Sequence, residues 1–238
     1  VTAVASGNRV PQTADGILAA LAAAGDPDRA AKMAAYHKAA RRYLGVAVPG
    51  IAAIVTAARR QMPEAERPAV AQAMWQTDIH EARVAAARLL QMRRPKADDA
   101  PAWRAFVTWV PDFDAWAIAD HACKAGEAMI VARPERVSEI DGWTTAPSIW
   151  VRRAAVVVTL PFARMAAPDP MQAEIRDRVL GWLADYAGQP DWFMQKSVSW
   201  WLRTLGQHDP DRVRSFLAAH GDRMKPFARK DAARRLPG

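Results

Sequence analysis

Apolar residues recur at intervals of three and four along nearly the whole chain, the period of amphipathic helices. Residues 191–206 show it plainly. Met194, Val198, Trp201, Leu202 and Leu205 fall at i, i+4, i+7, i+8 and i+11 and define one buried stripe. Ile118, Ala122, Ala125 and Met129 define another within 113–131. The pattern predicts helices near 13–24, 28–43, 50–60, 64–75, 78–92, 98–109, 113–131, 134–141, 147–165, 170–187, 191–206, 210–220 and 225–236. Proline and glycine punctuate the gaps. Gly25-Asp-Pro27, Pro168-Asp-Pro170 and Asp209-Pro210 each place Asp before Pro, which suits a helix start. Val156-Val-Val158 is the one β-like run, and it lies inside a helix-length apolar segment. The predicted class is all-α, and 1–238 is expected to form a single domain.

A degenerate repeat organises these helices. Glu81-Ala-Arg-Val, Val151-Arg-Arg-Ala, Met194-Gln-Lys-Ser and Ala228-Arg-Lys-Asp each put a cation in the first turns of a helix that then becomes apolar. Arg83, Arg153, Lys196 and Lys230 are separated by 70, 43 and 34 residues. A period of about 35 is that of a helical-hairpin solenoid, predicting a curved stack of about six hairpins with one helix of each on a concave face. Cations recurring on that helix would line the concavity; the alternative is a set of solvated basic faces on a helical bundle.

Charge sharpens this picture. Lys and Arg number 33 and Asp and Glu 25, a net +8, which favours a polyanionic partner. One cysteine, Cys123, excludes an internal disulfide or a cysteine-based zinc site. No apolar run reaches the ~20 residues of a membrane-spanning helix. Val1 to Val10 shows no signal-peptide apolar region, so a cytoplasmic location is expected. His80-Glu81 lacks a second histidine at Val84, the five histidines show no metal-ligand spacing, and no phosphate loop or dinucleotide glycine fingerprint occurs. No metal and no cofactor are expected.

The candidate chemistry lies off the buried stripes. Trp200 is two residues from both Val198 and Leu202, so it faces away from them, in line with Lys196 and Arg203. Trp116, Asp120 and Lys124 form a similar off-stripe line, and Trp116 and Asp120, one turn apart, can meet one ligand together. The competing assignment for each indole is inter-helix packing. Tyr36, in Met33-Ala-Ala-Tyr36, suits core or site, and Arg153 sits on a helix apolar nearly all round, where a lone arginine wants an anion.

Four segments resemble the AlkD-type family of bacterial DNA alkylation-repair glycosylases, built from HEAT-like repeats. They are Met33-Ala-Ala-Tyr36 with Gly45 and Pro49, the Trp116–Asp120 pair, Ile149-Trp-Val-Arg-Arg-Ala-Ala155, and Gln195-Lys-Ser-Val-Ser-Trp-Trp-Leu-Arg203. The resemblance implies a monomeric, HEAT-like enzyme that excises cationic N3- and N7-alkylated purines from double-stranded DNA without a deep base-flipping pocket. It implies that Asp120, Trp116 and Trp200 are catalytic, and that Tyr36, Arg153, Lys196 and Arg203 serve DNA binding. A non-catalytic binder of damaged or branched DNA is the alternative. Two departures stand out: Ala117 replaces an acidic residue common after the first tryptophan, and the helix after Pro49 is apolar where the family is commonly basic, with Arg59 and Arg60 available to compensate.

Overall fold

The computed structural model describes residues 12–95 and 98–237; the stretch read for a signal peptide lies outside them. Among the described residues no strand forms, and the one β contact is an isolated bridge between Arg42 and Ile79. The α-helices are α1 Ala14–Ala23, α2 Pro27–His37, α3 Val48–Gln61, α4 Arg67–Trp75, α5 His80–Leu90, α6 Ala100–Trp109, α7 Trp116–Ala132, α8 Val137–Asp141, α9 Ile149–Val158, α10 Leu160–Arg164, α11 Pro170–Tyr186, α12 Trp192–Leu205, α13 Pro210–His220 and α14 Pro226–Ala233. The Asp-before-Pro signals act as predicted. Asp26, Asp169 and Asp209 cap α2, α11 and α13, and Asp169 forms a capping box with Gln172.

Two boundaries differ from the predicted ones. The segment 147–165 splits into α9 and α10. Pro161 has no N–H for a continuous ladder, and the Thr159 hydroxyl donates back to the carbonyls of Ala155 and Val156 at 3.1 and 2.9 Å. The segment 28–43 stops at His37 because Lys38 turns left-handed, φ 57°. The chain that follows is held by a buried carboxylate. Glu81 accepts from the backbone N–H groups of Leu44, Gly45 and Val46 at 2.9, 2.7 and 3.2 Å. Gly45 adopts φ +80°, and a Cβ there would lie 2.0 Å from the Asp26 carbonyl oxygen. Only glycine fits that turn.

The described residues divide into two compact units, 12–91 with 98–109, and 92–95 with 110–237. The first holds α1–α6. Its core is built on Ile17, Leu21, Met74 and Phe106 and on the Trp75 and Trp109 rings, stacked 4.4 Å apart. The second holds α7–α14. Here α7, α9, α12 and α14 pack each against the next, while α11 and α13 pair beside them. That is the layer arrangement of stacked helical hairpins.

Buried arginines join the layers. Arg83 donates from Nε to the carbonyl of Trp75, the last residue of α4, at 3.2 Å and lies over its ring at 4.7 Å. Arg136 reaches the Met129 carbonyl near the end of α7 at 3.1 Å. Arg176 reaches the Phe162 carbonyl at 2.7 Å and also that of Met165, at the end of α10. Each cation meets carbonyls in or near the last turn of a helix, where the negative end of the helix dipole lies; Arg136 shares the Met129 carbonyl with the Arg133 N–H. This corrects one expectation. Arg83, predicted to line a basic concavity, is 8% exposed and bound inside its unit, as is Arg153 at 4%.

Candidate functional site

The predicted face analysis of α12 and α7 holds. Met194, Val198, Trp201, Leu202 and Leu205 are fully buried, as are Ala122, Ala125 and Met129, with Ile118 nearly so. Trp200 and Trp116 are half-buried instead, Asp120 is partly open, and Lys124 is exposed. Trp201 is the structural indole and Trp200 the accessible one.

Asp120 is gripped from behind. Arg153 on α9 donates from Nε to Oδ1 at 3.1 Å and from Nη2 to Oδ2 at 2.9 Å, a two-pronged contact. Its Nη1 donates to the carbonyl of Phe193 on α12 at 2.7 Å. One guanidinium thus links α7, α9 and α12. The Arg153 side chain is 5% exposed and that of Asp120 22%. Each carboxylate oxygen spends one lone pair on Arg153 and keeps another for what approaches from solvent. Arg153 was expected at a phosphate; its guanidinium instead serves Asp120. Cys123, one turn from Ala119 on the same helix, is wholly buried, and burial raises its thiol pKa well above normal, so it offers no nucleophile.

The remaining cations are also engaged. Arg203 pairs with Asp231 of α14, which accepts from the Ser199 hydroxyl at 3.0 Å too. Burial pushes the Asp231 carboxyl up, but the bonds from Arg203 and Ser199 outweigh this and hold it below its ordinary value. Lys196 keeps its ammonium 5.3 Å from the Trp192 ring and 5.9 Å from that of Phe227. Tyr36 belongs to the other unit. It lies in the last turn of α2, is 70% exposed, and meets His37 edge-on at 5.0 Å.

The two departures have structural reasons. Ala117 is 4% exposed, facing the core, where a carboxylate would be costly. In α3, Ile51, Val55 and Ala58 are buried, so its apolar run packs the first unit. Of the two compensating cations, Arg59 donates to the Arg88 carbonyl at 3.1 Å, and burial lowers its pKa, while Arg60 is exposed.

One residue escaped the sequence prediction. Trp192 opens α12 and is 49% exposed, the one tryptophan among the described residues open to that degree. It lies in line with Lys196 and Trp200 at i, i+4 and i+8. The same off-stripe logic that selected Trp200 extends to it.

Among the described residues no three His, Cys, Asp or Glu side chains gather as a metal site, and no helix is long and apolar enough to cross a membrane.

Comparison with known proteins places this arrangement. A structure described as a "predicted DNA alkylation repair enzyme" from Enterococcus faecalis superposes with a TM-score of 0.73 at 20% identity, over 89% of this chain and 96% of that one. AlkD2 from Streptococcus mutans gives 0.57 at 16% identity, over 89% and 99%. The smu.31 protein from Streptococcus mutans UA159 gives 0.57 at 17%, over 80% and 93%. These likenesses establish a shared all-helical repeat fold. No curated protein matches the chain. The family model for the DNA alkylation repair enzyme matches residues 17–236, nearly the whole sequence, and the chain therefore belongs to the DNA alkylation repair enzyme family.

Proposed function

We propose that this protein is a DNA glycosylase that hydrolyses the N-glycosidic bond of cationic N3- or N7-alkylated purines in double-stranded DNA. The observation that carries this reading is the fixed carboxylate. Asp120 is clamped by a buried arginine, keeps free lone pairs, and sits one turn after the accessible indole of Trp116.

The chemistry asks little beyond this. In an alkylated purine the base already carries positive charge. The C1′–N bond breaks with its electron pair going to the base, which leaves neutral. The sugar becomes oxocarbenium-like, water adds its oxygen to C1′, and a proton passes to solvent. A carboxylate near C1′ stabilises the developing cation. Trp116 and Trp200 offer π faces to the cationic base and sugar, worth about 0.5–2 kcal/mol each. Arg153 fixes the orientation of Asp120. Lys196 and Arg203 face the sugar–phosphate backbone with the partly exposed side of α12, and Tyr36 supplies a further contact. No cofactor takes part, and the protein acts as a monomer in the cytoplasm.

The Arg153 pair also gives the non-catalytic reading its footing, because a guanidinium at 2.9 Å offsets much of the carboxylate's field beyond the near oxygen. Under that reading the site grips damaged DNA without cleaving it.

One experiment decides between the two. The protein in excess is incubated with a duplex carrying a single N7-methylguanine, and free 7-methylguanine is quantified against time. Release faster than spontaneous loss supports the glycosylase. Tight binding of the duplex with release at the spontaneous rate rejects it and leaves the binder.

A further inference from the structure

We propose that Trp192, Lys196 and Phe227 form a second nucleotide subsite on α12, one that stacks an unpaired nucleobase and holds its phosphate. The proposal rests on DNA being the partner, but not on glycosylase chemistry.

Three observations converge on it. First, an indole half open to solvent leaves apolar surface in water that a neighbouring aromatic ring would cover. Second, its surroundings are ordered. The Phe193 ring meets it edge-on at 5.0 Å and 89°, and the Phe227 ring lies 5.9 Å away at 30°. Phe193 in turn packs on Trp150 of α9 at 4.9 Å, so the indole sits at the edge of a cluster of rings from α9, α12 and α14. Third, the Lys196 ammonium lies over the indole, 5.3 Å from its centroid, and over the Phe227 ring at 5.9 Å, from where its flexible stem can carry it to a phosphate as a base takes the ring face. An aromatic face beside a cation is the combination that takes a single-stranded nucleotide, the ring for the base and the cation for the phosphate. The helix N-terminus does not supply that anion site. Its N–H groups at Phe193 and Met194 are already capped by Asp191 at 2.7 and 3.0 Å.

The subsite is separate from the proposed catalytic indole. Eight residues of helix part Trp192 from Trp200, a rise of about 12 Å. A paired base cannot offer its face to an indole, because its neighbours in the stack cover both sides. The occupant is therefore an unpaired base, such as one in a gap, an overhang or a melted flank.

The test uses the full chain and two probes of equal charge: a thymidine decamer, and a decamer with the same backbone in which every base is absent. Binding is followed by fluorescence anisotropy. The thymidine decamer is expected to bind about 5–150-fold more tightly, the scale of one stacked base. Trp192→Ala should erase most of that ratio, and Trp192→Phe should keep most of it. Thermal melts of each variant confirm that it folds. Equal affinity of the wild type for both probes overturns the proposal. So does a ratio that survives Trp192→Ala or disappears only in Trp200→Ala. Self-association abolished by Trp192→Ala in sedimentation runs would assign the patch to a second copy of the chain instead. Excision of 7-methylguanine is measured on the same samples. No excision with the base ratio intact removes the glycosylase and keeps the subsite, whereas binding of neither probe removes the subsite.

Discussion

Asp120→Asn carries two consequences, and the structure gives a size to each. The substitution removes the negative charge that faces Arg153, whose side chain is 5% exposed. Guanidinium does not lose its proton, so the cation stays, nearly buried, without a counter-charge. Losing one partner of a fully buried pair costs about 3–5 kcal/mol. Two features lower that figure here. The Asp120 side chain is 22% exposed, so water screens the pair, and the asparagine oxygen still accepts one of the two bonds. A cost of about 1–3 kcal/mol follows, or a melting temperature lower by about 2–12 °C for a chain of this length. The position of Asp120 off the buried stripe gives no sign of this cost, which arises from Arg153 behind it. The chemical effect is an excision rate lower by about 10–10³-fold, the scale of losing one electrostatic stabiliser. Circular dichroism melts give the first quantity. Single-turnover release of 7-methylguanine, at least 15 °C below the variant's midpoint, gives the second, with duplex affinity measured alongside. An unchanged melting temperature refutes the argument that Asp120 neutralises Arg153. An unchanged rate removes the carboxylate from the mechanism, and equal losses of rate and binding make it a structural residue.

Other outcomes follow from the same geometry. Trp116→Ala and Trp200→Ala should each slow excision by about 2–30-fold, less for lesions that are already labile, in the same single-turnover assay. Gly45→Ala forces a Cβ to within 2.0 Å of the Asp26 carbonyl oxygen and should cost about 2–4 kcal/mol in urea unfolding. Asp231 has a folded pKa below 3.8, so its bonds stabilise the fold above its unfolded pKa and are lost as pH falls through the lower folded value. Asp231→Asn should therefore be less stable than wild type by about 1–3 kcal/mol at pH 5–7, and the gap should narrow below about pH 4. Urea midpoints across that range test it.

The helices, their Asp-Pro starts and the buried stripes were legible in the sequence because they are local: periodicity and capping need only neighbours along the chain. The accessible indoles were legible for the same reason, since two residues of offset turn Trp200 away from Val198 and Leu202. What a cation touches was not legible. Arg153 reads as an orphan on an apolar helix, and its partners Asp120 and Phe193 lie 33 and 40 residues away. Arg203 reads as a free neighbour of Trp200, yet pairs with Asp231, 28 residues on. Pairing across layers is set by packing, which no one-dimensional period encodes. Trp192 was missed for a smaller reason. It stands at the first residue of its helix, before the apolar stripe that oriented the rest.

The arginines that end on helix-terminal carbonyls have a consequence for how the layers find one another. Helices such as α5 and α7 are rich in alanine, and their small side chains make smooth surfaces with little shape to prevent one helix from sliding along the next. A slip of one turn, about 5.4 Å, would cost such a surface few apolar contacts. It would carry Arg83 away from the Trp75 carbonyl and Arg176 away from those of Phe162 and Met165, costing each nearly buried cation hydrogen bonds that its native alignment supplies. Each of these side chains thus acts as a key that fits one alignment of its neighbours, and it penalises the near-native stackings that alanine alone would tolerate.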